Sequence, residues 1–404
     1  MGTLLRGGKV FDGTGAPPAA SDVLIQDGRI APVGPPASPA GPSVSAAGVT
    51  VLDVSGCTVL PGLINLHEHQ VFAGVVGPWE AIITVPDSTL LLRAARRASL
   101  ALRQGVTAVR DLGAPRGVNL TMRSARDAGL VVSPRIAAAG SPIAITGGHA
   151  YEMCVEADGP EGFAAAVRAQ IRAGADWIKL MASGGLTRGV VSLSRFFALQ
   201  PSPAELRAAI DAAHAMGRPV TAHVNGTEAI RACVEGGIDG IEHGVGITED
   251  LAAEMARRDV VLTPTLSIYF RSAERAAEWG RPKDQVDLSR QIVARHREGL
   301  RFALKHGVRI GLGTDSIGDM AEEAALLHEV GLSPAQVLRA ATLGAAEVLG
   351  WEAWLGSVQP GKAADLLVVE GDPAADLGAL RRVRHVFLDG RMVTPAHLPV
   401  ELST

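Results

Sequence analysis

Six side chains of this sequence can meet at one metal centre: His67, His69, Lys179, His223, His243 and Asp315. Imidazole nitrogen and carboxylate oxygen are the usual ligands of zinc and similar divalent ions. His67 and His69 follow the apolar run TVLPGLINL and lie two residues apart. Side chains in a strand alternate with period two, so both imidazoles face one side and Glu68 faces the other. That spacing differs from the HExxH helix of zinc proteases.

Lys179 lies in the apolar stretch DWIKLMASGG. Burying an ammonium is costly, and burial favours the neutral, nucleophilic amine. Such an amine can add carbon dioxide and become a carbamate, an anion with two oxygens suited to bridging two cations. A core lysine held by an ion pair is the alternative. His223 ends the run VTAH, His243 ends GIEH and Asp315 ends GLGTD. Any one of them alone reads as a satisfied core polar residue. Their shared place at the ends of strand-like runs reads as a site.

The elements that must position them follow from the pattern. Strand-like runs cover 57–69, 106–113, 135–141, 177–182, 219–223, 240–243, 260–266 and 308–314. Amphipathic helical stretches, among them 89–103 and 162–173, separate most of them. Ser202-Pro203-Ala204-Glu205 opens a helix with a capping box, and Ser333-Pro334 opens another that runs to about residue 349. Alternating strands and helices imply parallel βα units. The fold class is therefore α/β, a (β/α)8 TIM barrel, whose active sites lie at the C-terminal ends of the strands. The chain ends are rich in short strands and turns. They predict a composite β-sandwich domain from 1–57 plus 356–404, with the barrel over 58–355.

The chain has 404 residues, 47% hydrophobic content and a net charge of −4. No Lys/Arg cluster points to nucleic acid. No apolar run reaches the roughly 18 residues of a membrane span. The start lacks a basic segment followed by an apolar one, so no secretory signal is expected. Cys57, Cys154 and Cys233 are too scattered for a disulfide framework or a CxxC metal site. The expectation is a cytoplasmic homo-oligomer with free thiols and a small-molecule substrate.

The chain resembles the amidohydrolase superfamily in its binuclear-metal subtype. The resemblance covers nearly the full length, including GKAADL at 361–366. ITGGHA at 145–150, DWIKLMASGG, AHVNG and IEHG are similar to the branch of imidazolonepropionase and the Xaa-Pro dipeptidases. Imidazolonepropionase is mononuclear without such a lysine, so Lys179 argues against that activity. The resemblance implies two divalent metal ions, zinc foremost. His67 and His69 would hold the buried ion, and His223 and His243 the more exposed one. A carbamate on Lys179 and a hydroxide would bridge both. Asp315 would bind the first ion and carry protons, while the exposed ion polarises a carbonyl.

The same resemblance gives His149 contact with the substrate carbonyl or its oxyanion. Dipeptidases of this branch usually carry tyrosine two residues after the strand-five histidine; this chain has Asn225. Arg188 and Arg195, on the loop after strand four, are candidate clamps for a substrate carboxylate. Tyr269 and Arg271 are further candidates for the pocket wall. His214, His296, His306 and His328 in helical patterns, with His385 and His397, read as background. The expected activity is hydrolysis of a C–N amide bond in an N-acyl amino acid, dipeptide or related small amide. A lactone or phosphotriester is the alternative substrate, and a non-catalytic barrel the alternative class.

Overall fold

The computed structural model describes residues 2–32, 48–72, 84–186, 192–274, 283–316 and 318–393. The fold is mixed α/β, with short central strands separated by helices. Parallel pairing joins Leu63–Glu68 to Val106–Asp111 and that strand to Arg135–Ala138. A second parallel run joins Ile178–Met181, Val220–Val224, Gly240–His243 and Val261–Thr263 in that order. Asp176 N donates to Ala138 O at 2.8 Å and links the two runs.

The eighth expected strand, 308–314, touches both neighbours through isolated bridges, Ile310 to Leu262 and Asp315 to Glu68. Leu66 N donates to Leu312 O at 2.9 Å, and Gly311 N to Leu262 O at 2.8 Å. Two glycines let this segment press against the first strand. A Cβ on Gly311 would meet Leu66 Cδ1 at 2.5 Å, and one on Gly313 would meet His67 Cβ at 2.7 Å. Each of the eight segments thus bonds to a neighbour on either side.

Leu63–Glu68, Val106–Asp111, Ile178–Met181, Val220–Val224 and Gly240–His243 are buried at every position. Parallel strands covered on both faces read as continuous apolar runs. Charged and imidazole side chains inside them are therefore conspicuous.

Both chain ends build the remaining sheets. A six-stranded sheet holds Ala19–Ala20, Lys9–Val10, Cys57–Pro61, Leu366–Glu370, Val383–Leu388 and Arg391–Val393, in that order. A four-stranded sheet holds Arg29–Ala31, Val23–Gln26, Gly2–Arg6 and Val49–Asp53. Leu5, Val23, Ile25, Val59, Leu366 and Phe387 from the two sheets bury one another in a single cluster.

Three local expectations change. The run 57–69 is two strands, Cys57–Pro61 in the terminal sheet and Leu63–Glu68 in the central one. The chain crosses between them at Gly62, where a Cβ would strike Thr107 Oγ1 at 2.1 Å. The helix expected to reach 349 divides into Pro334–Ala340 and Leu343–Leu349, broken at Thr342.

The strand expected over 260–266 stops at Thr263. Thr265 turns to φ +50°, and the Glu323 carboxylate accepts from Leu266 N and Ser267 N at 2.7 Å each. Those are orphan donors of a helix start, so a helix, Leu266–Glu274, begins there. Both serine caps are present as full capping boxes. Among the described residues no helix is long and apolar enough to cross a membrane.

Candidate active site

The strand ends bring the sequence-predicted ligands together. His67 and His69 leave the first strand on one face, and Glu68 points away to Arg97 Nη2 at 2.9 Å and Asn65 Nδ2 at 3.0 Å. Register places Lys179 opposite Thr221, Met181 opposite His223, and Val224 opposite His243. All four histidines and Lys179 are buried. His67, His243 and Asp315 offer donor atoms within 4.8 Å of one another. His69 Nε2 lies 3.9 Å from Asp315 Oδ1, and the His223 and His243 rings are 4.6 Å apart.

Two of these residues hold left-handed backbone, His243 at φ +69° and Asp315 at φ +57°. Such strain in non-glycine residues persists where surrounding bonds enforce it. His296 Nε2 donates to His243 O at 2.8 Å, and Asp315 N donates to His67 O at 2.8 Å. His296 was expected to be background; it is buried behind the site, its ring against Tyr269 at 5.3 Å.

Hydrogen bonds fix which imidazole nitrogen is free. His69 Nδ1 donates to Gly113 O at 2.8 Å, which leaves its Nε2 lone pair. Thr265 Oγ1 donates to Pro264 O and so accepts from His243 Nδ1 at 2.6 Å. His67 Nδ1 lies 2.9 Å from Glu242 Oε2, out of line for a hydrogen bond, and the negative carboxylate favours the proton on that nitrogen by charge. His223 is reversed: its Nε2 donates to Gly184 O at 2.8 Å, leaving Nδ1. His67 Nε2 and His69 Nε2 then stand 3.3 Å apart, both without a proton. Facing lone pairs repel, and a shared cation turns that contact into an attraction. The donor set fits a divalent metal on this ground, and such outer hydrogen bonds are how proteins orient metal-binding imidazoles.

Electrostatics agree. Burial, with Lys179 and neighbouring imidazoles adding to it, holds His67, His223 and His243 well below 6.5. Burial brings His69 and His149 to about 4. All five imidazoles are therefore neutral near pH 7. Burial lowers Lys179 to about 8, against the pull of Glu242 and Asp315. Its Nζ has no hydrogen-bond partner among the described residues. Asp315 is raised to about 6 by burial, with Lys179 lowering it.

Sequence reasoning missed the group behind His67. Glu242 Oε1 accepts from Arg110 Nη2 at 2.6 Å and Thr221 Oγ1 at 2.5 Å. Arg110 Nε donates to Leu66 O at 2.7 Å, and its guanidinium lies 4.4 Å over the Trp177 ring. The available signal was the one that exposed Lys179: Arg110 and Glu242 are charges inside apolar strands.

The substrate-side candidates separate. The His149 ring packs on His223 at 4.2 Å, with room made by Gly185, where a Cβ would sit 2.3 Å from that ring. Asn225 Oδ1 accepts from Val245 N, and its Nδ2 donates to the Tyr269 hydroxyl at 3.3 Å. The Tyr269 ring meets His243 at 5.6 Å; burial pushes its phenol up, so it stays protonated. Arg195 is exposed on the short helix Leu193–Phe196. Arg271 binds Glu322 at 2.6 Å and Asp319 at 3.3 Å, which commits it to a tie between helices. Arg188 lies outside the described residues.

The model of the amidohydrolase family matches residues 58–393. The chain belongs to the amidohydrolase family. An uncharacterized protein of Mycobacterium tuberculosis is 32% identical across 87% of this chain and 88% of its own length. Ochratoxinase of Aspergillus niger is 29% identical across 96% of this chain and 86% of its own. Its crystal structure has a TM-score of 0.84 at 27% identity, covering 98% of this chain and 97% of its own. A structure of an Xaa-Pro dipeptidase with bound methionine in the active site gives a TM-score of 0.86 at 28% identity, covering 97% and 100%. The two solved structures share this chain's arrangement of elements along nearly its whole length.

Proposed function

We propose that the protein hydrolyses the C–N bond of small amides (N-acyl amino acids, dipeptides or related compounds) at a two-cation centre. The carrying observation is the facing pair His67 Nε2 and His69 Nε2 at 3.3 Å, together with a buried Lys179 Nζ that has no hydrogen-bond partner among the described residues. His67, His69, Lys179 as its carbamate, His223, His243 and Asp315 would hold the ions. Zinc suits that donor set. When bound, the cations supply hydroxide near neutral pH and polarise a carbonyl.

The chain's own residues do the rest. Neutral Lys179 adds through its nitrogen lone pair to the carbon of carbon dioxide and releases a proton. Asp315 accepts the proton of the attacking water on a carboxylate oxygen and delivers it to the leaving amine nitrogen. His149 is neutral, so a ring N–H can donate to the substrate oxygen as charge grows there. The likeness to an Xaa-Pro dipeptidase across nearly the whole chain supports an amide as substrate.

The eight parallel segments would close as a (β/α)8 barrel over 58–355, with the site at its strand ends. The hydrogen bonds of 309–315 to both neighbours support that closure. A composite β-sandwich from 1–57 and 356–404 is supported by the buried cluster of Leu5, Val59 and Phe387. Free Cys57, Cys154 and Cys233 suit a cytoplasmic protein.

Metal analysis and a substrate panel test the proposal. The chelated chain is reloaded with zinc, its metal content measured, and N-acyl amino acids, dipeptides, lactones and phosphotriesters offered. Two ions per chain and turnover of an amide are expected. One ion per chain, or turnover confined to lactones or phosphotriesters, overturns it.

A further inference from the structure

We propose that Tyr269 donates a hydrogen bond to the oxygen of the scissile carbonyl, and that Asn225 is its positioning residue. The inference rests on the amide-hydrolase reading above and adds a second donor to that reaction.

The amide of Asn225 has one available orientation. Its backbone N donates to Ser183 Oγ at 2.8 Å, and its Oδ1 accepts from Val245 N at 3.1 Å. Nδ2 therefore points the other way, 3.3 Å from the Tyr269 hydroxyl and 3.4 Å from His223 Nε2. His223 Nε2 already carries the proton given to Gly184 O, so it does not accept from the amide. The phenol oxygen does. A phenol that accepts from Asn225 keeps its own proton for another acceptor. Among the described residues the protein offers that proton no acceptor.

The ring cannot swing away. His243, Phe196 and His296 meet it edge to face at 5.6, 6.0 and 5.3 Å. Its helix starts where Glu323 fixes Leu266 N and Ser267 N. Tyr269 is 4% exposed. A buried donor held this way costs no reorganisation when charge develops on the oxygen it faces. Tyr269 packs on His243, His149 packs on His223, and those two rings are 4.6 Å apart. Both donors thus border the half of the site proposed to receive the carbonyl.

The test uses the zinc-loaded full chain, Tyr269→Phe and Asn225→Ala. Readouts are kcat and KM for an N-acyl amino acid, zinc content, and the Kd of a methylphosphonamidate analogue whose phosphoryl oxygen stands for the reacting oxygen. Tyr269→Phe keeps the ring and its packing. It should lower kcat by roughly 10²- to 10³-fold, the usual cost of one such donor. Analogue affinity should fall with it, while zinc content and affinity for the amino-acid product stay unchanged. Asn225→Ala should lose less, and the double variant should be no worse than Tyr269→Phe, because the two act as one unit.

The chain has two tyrosines, so 3-fluorotyrosine labelling gives two fluorine signals, assigned with Tyr269→Phe. The Tyr269 signal should shift when the analogue binds. Wild-type analogue affinity in Tyr269→Phe, an unshifted signal with the analogue bound, or loss of zinc each overturns the role. If the wild type cleaves no amide, the amide reading fails separately, and the analogue's affinity for the two proteins still decides Tyr269.

Discussion

Glu242 Oε2 lies 2.9 Å from Nδ1 of His67, while its other oxygen takes the Arg110 guanidinium at 2.6 Å. One buried carboxylate therefore favours, by its charge, the Nδ1-protonated tautomer of a proposed ligand and neutralises a fully buried arginine. Glu242→Gln should weaken zinc affinity by about 10- to 100-fold, as loss of such outer partners does. Arg110 would be left as a buried cation without its counter-charge, and stability should fall by on the order of 3 kcal/mol. Competition with a chelator and urea unfolding measure the two effects. Unchanged zinc affinity would remove Glu242 from the site's support.

Lys179→Ala should lose metal and activity together. Bicarbonate or short carboxylates should restore part of the rate by replacing the missing bridge. Metal analysis with and without acetate checks this. A variant with two tight ions and normal turnover rules out the bridging role.

Asp315→Asn should lower kcat by about 10²-fold or more, the scale of general acid–base catalysis, with the fold intact. Asp315 stands at about 6 in the metal-free protein, raised by burial first. A base must be deprotonated, so kcat/KM should fall on an acid limb at or below about 6. Cations beside the carboxylate move that limb lower. The pH profile of the wild type should show the limb, and that of the variant should not.

Stability of the metal-free protein should decline toward acid pH. Burial lowers His67, His69, His149, His223, His243 and His296, the second, third and last of these to about 4. Unfolded imidazoles bind protons below about 6.5, and the folded ones do not. Their contribution is full above that pH and is lost as pH falls toward 4. Burial raises Asp111 and Glu323 to about 7, Asp315 to about 6, and Asp365 in the same direction. Those carboxyls have the opposite sign, losing stability as pH rises through the same window. Six imidazoles outweigh four carboxyls, so the urea midpoint of chelated protein should drop between pH 6.5 and 4.5. A midpoint that climbs across that range contradicts the balance.

The sequence by itself picked out the proposed ligands and the strand-like runs that carry them. Strand periodicity is local, so His67 and His69 could be placed on one face from their spacing alone. Lys179, His223 and His243 stood out because apolar strands surround them. Ser202 and Ser333 announced their helices through contacts within three residues. Tertiary structure decided what depends on distant partners. Glu242 meets Arg110 across 132 residues, and Glu323 starts the Tyr269 helix from 57 residues away. Arg271 was a pocket-wall candidate until Glu322, 51 residues on, claimed it. The free nitrogen of each imidazole is set by an acceptor on another segment, as with His69 and Gly113 O, 44 residues apart. These ion pairs, the Glu323 cap and the tautomers depend on groups that only chain closure brings close to one another, and no local pattern encodes which groups those will be.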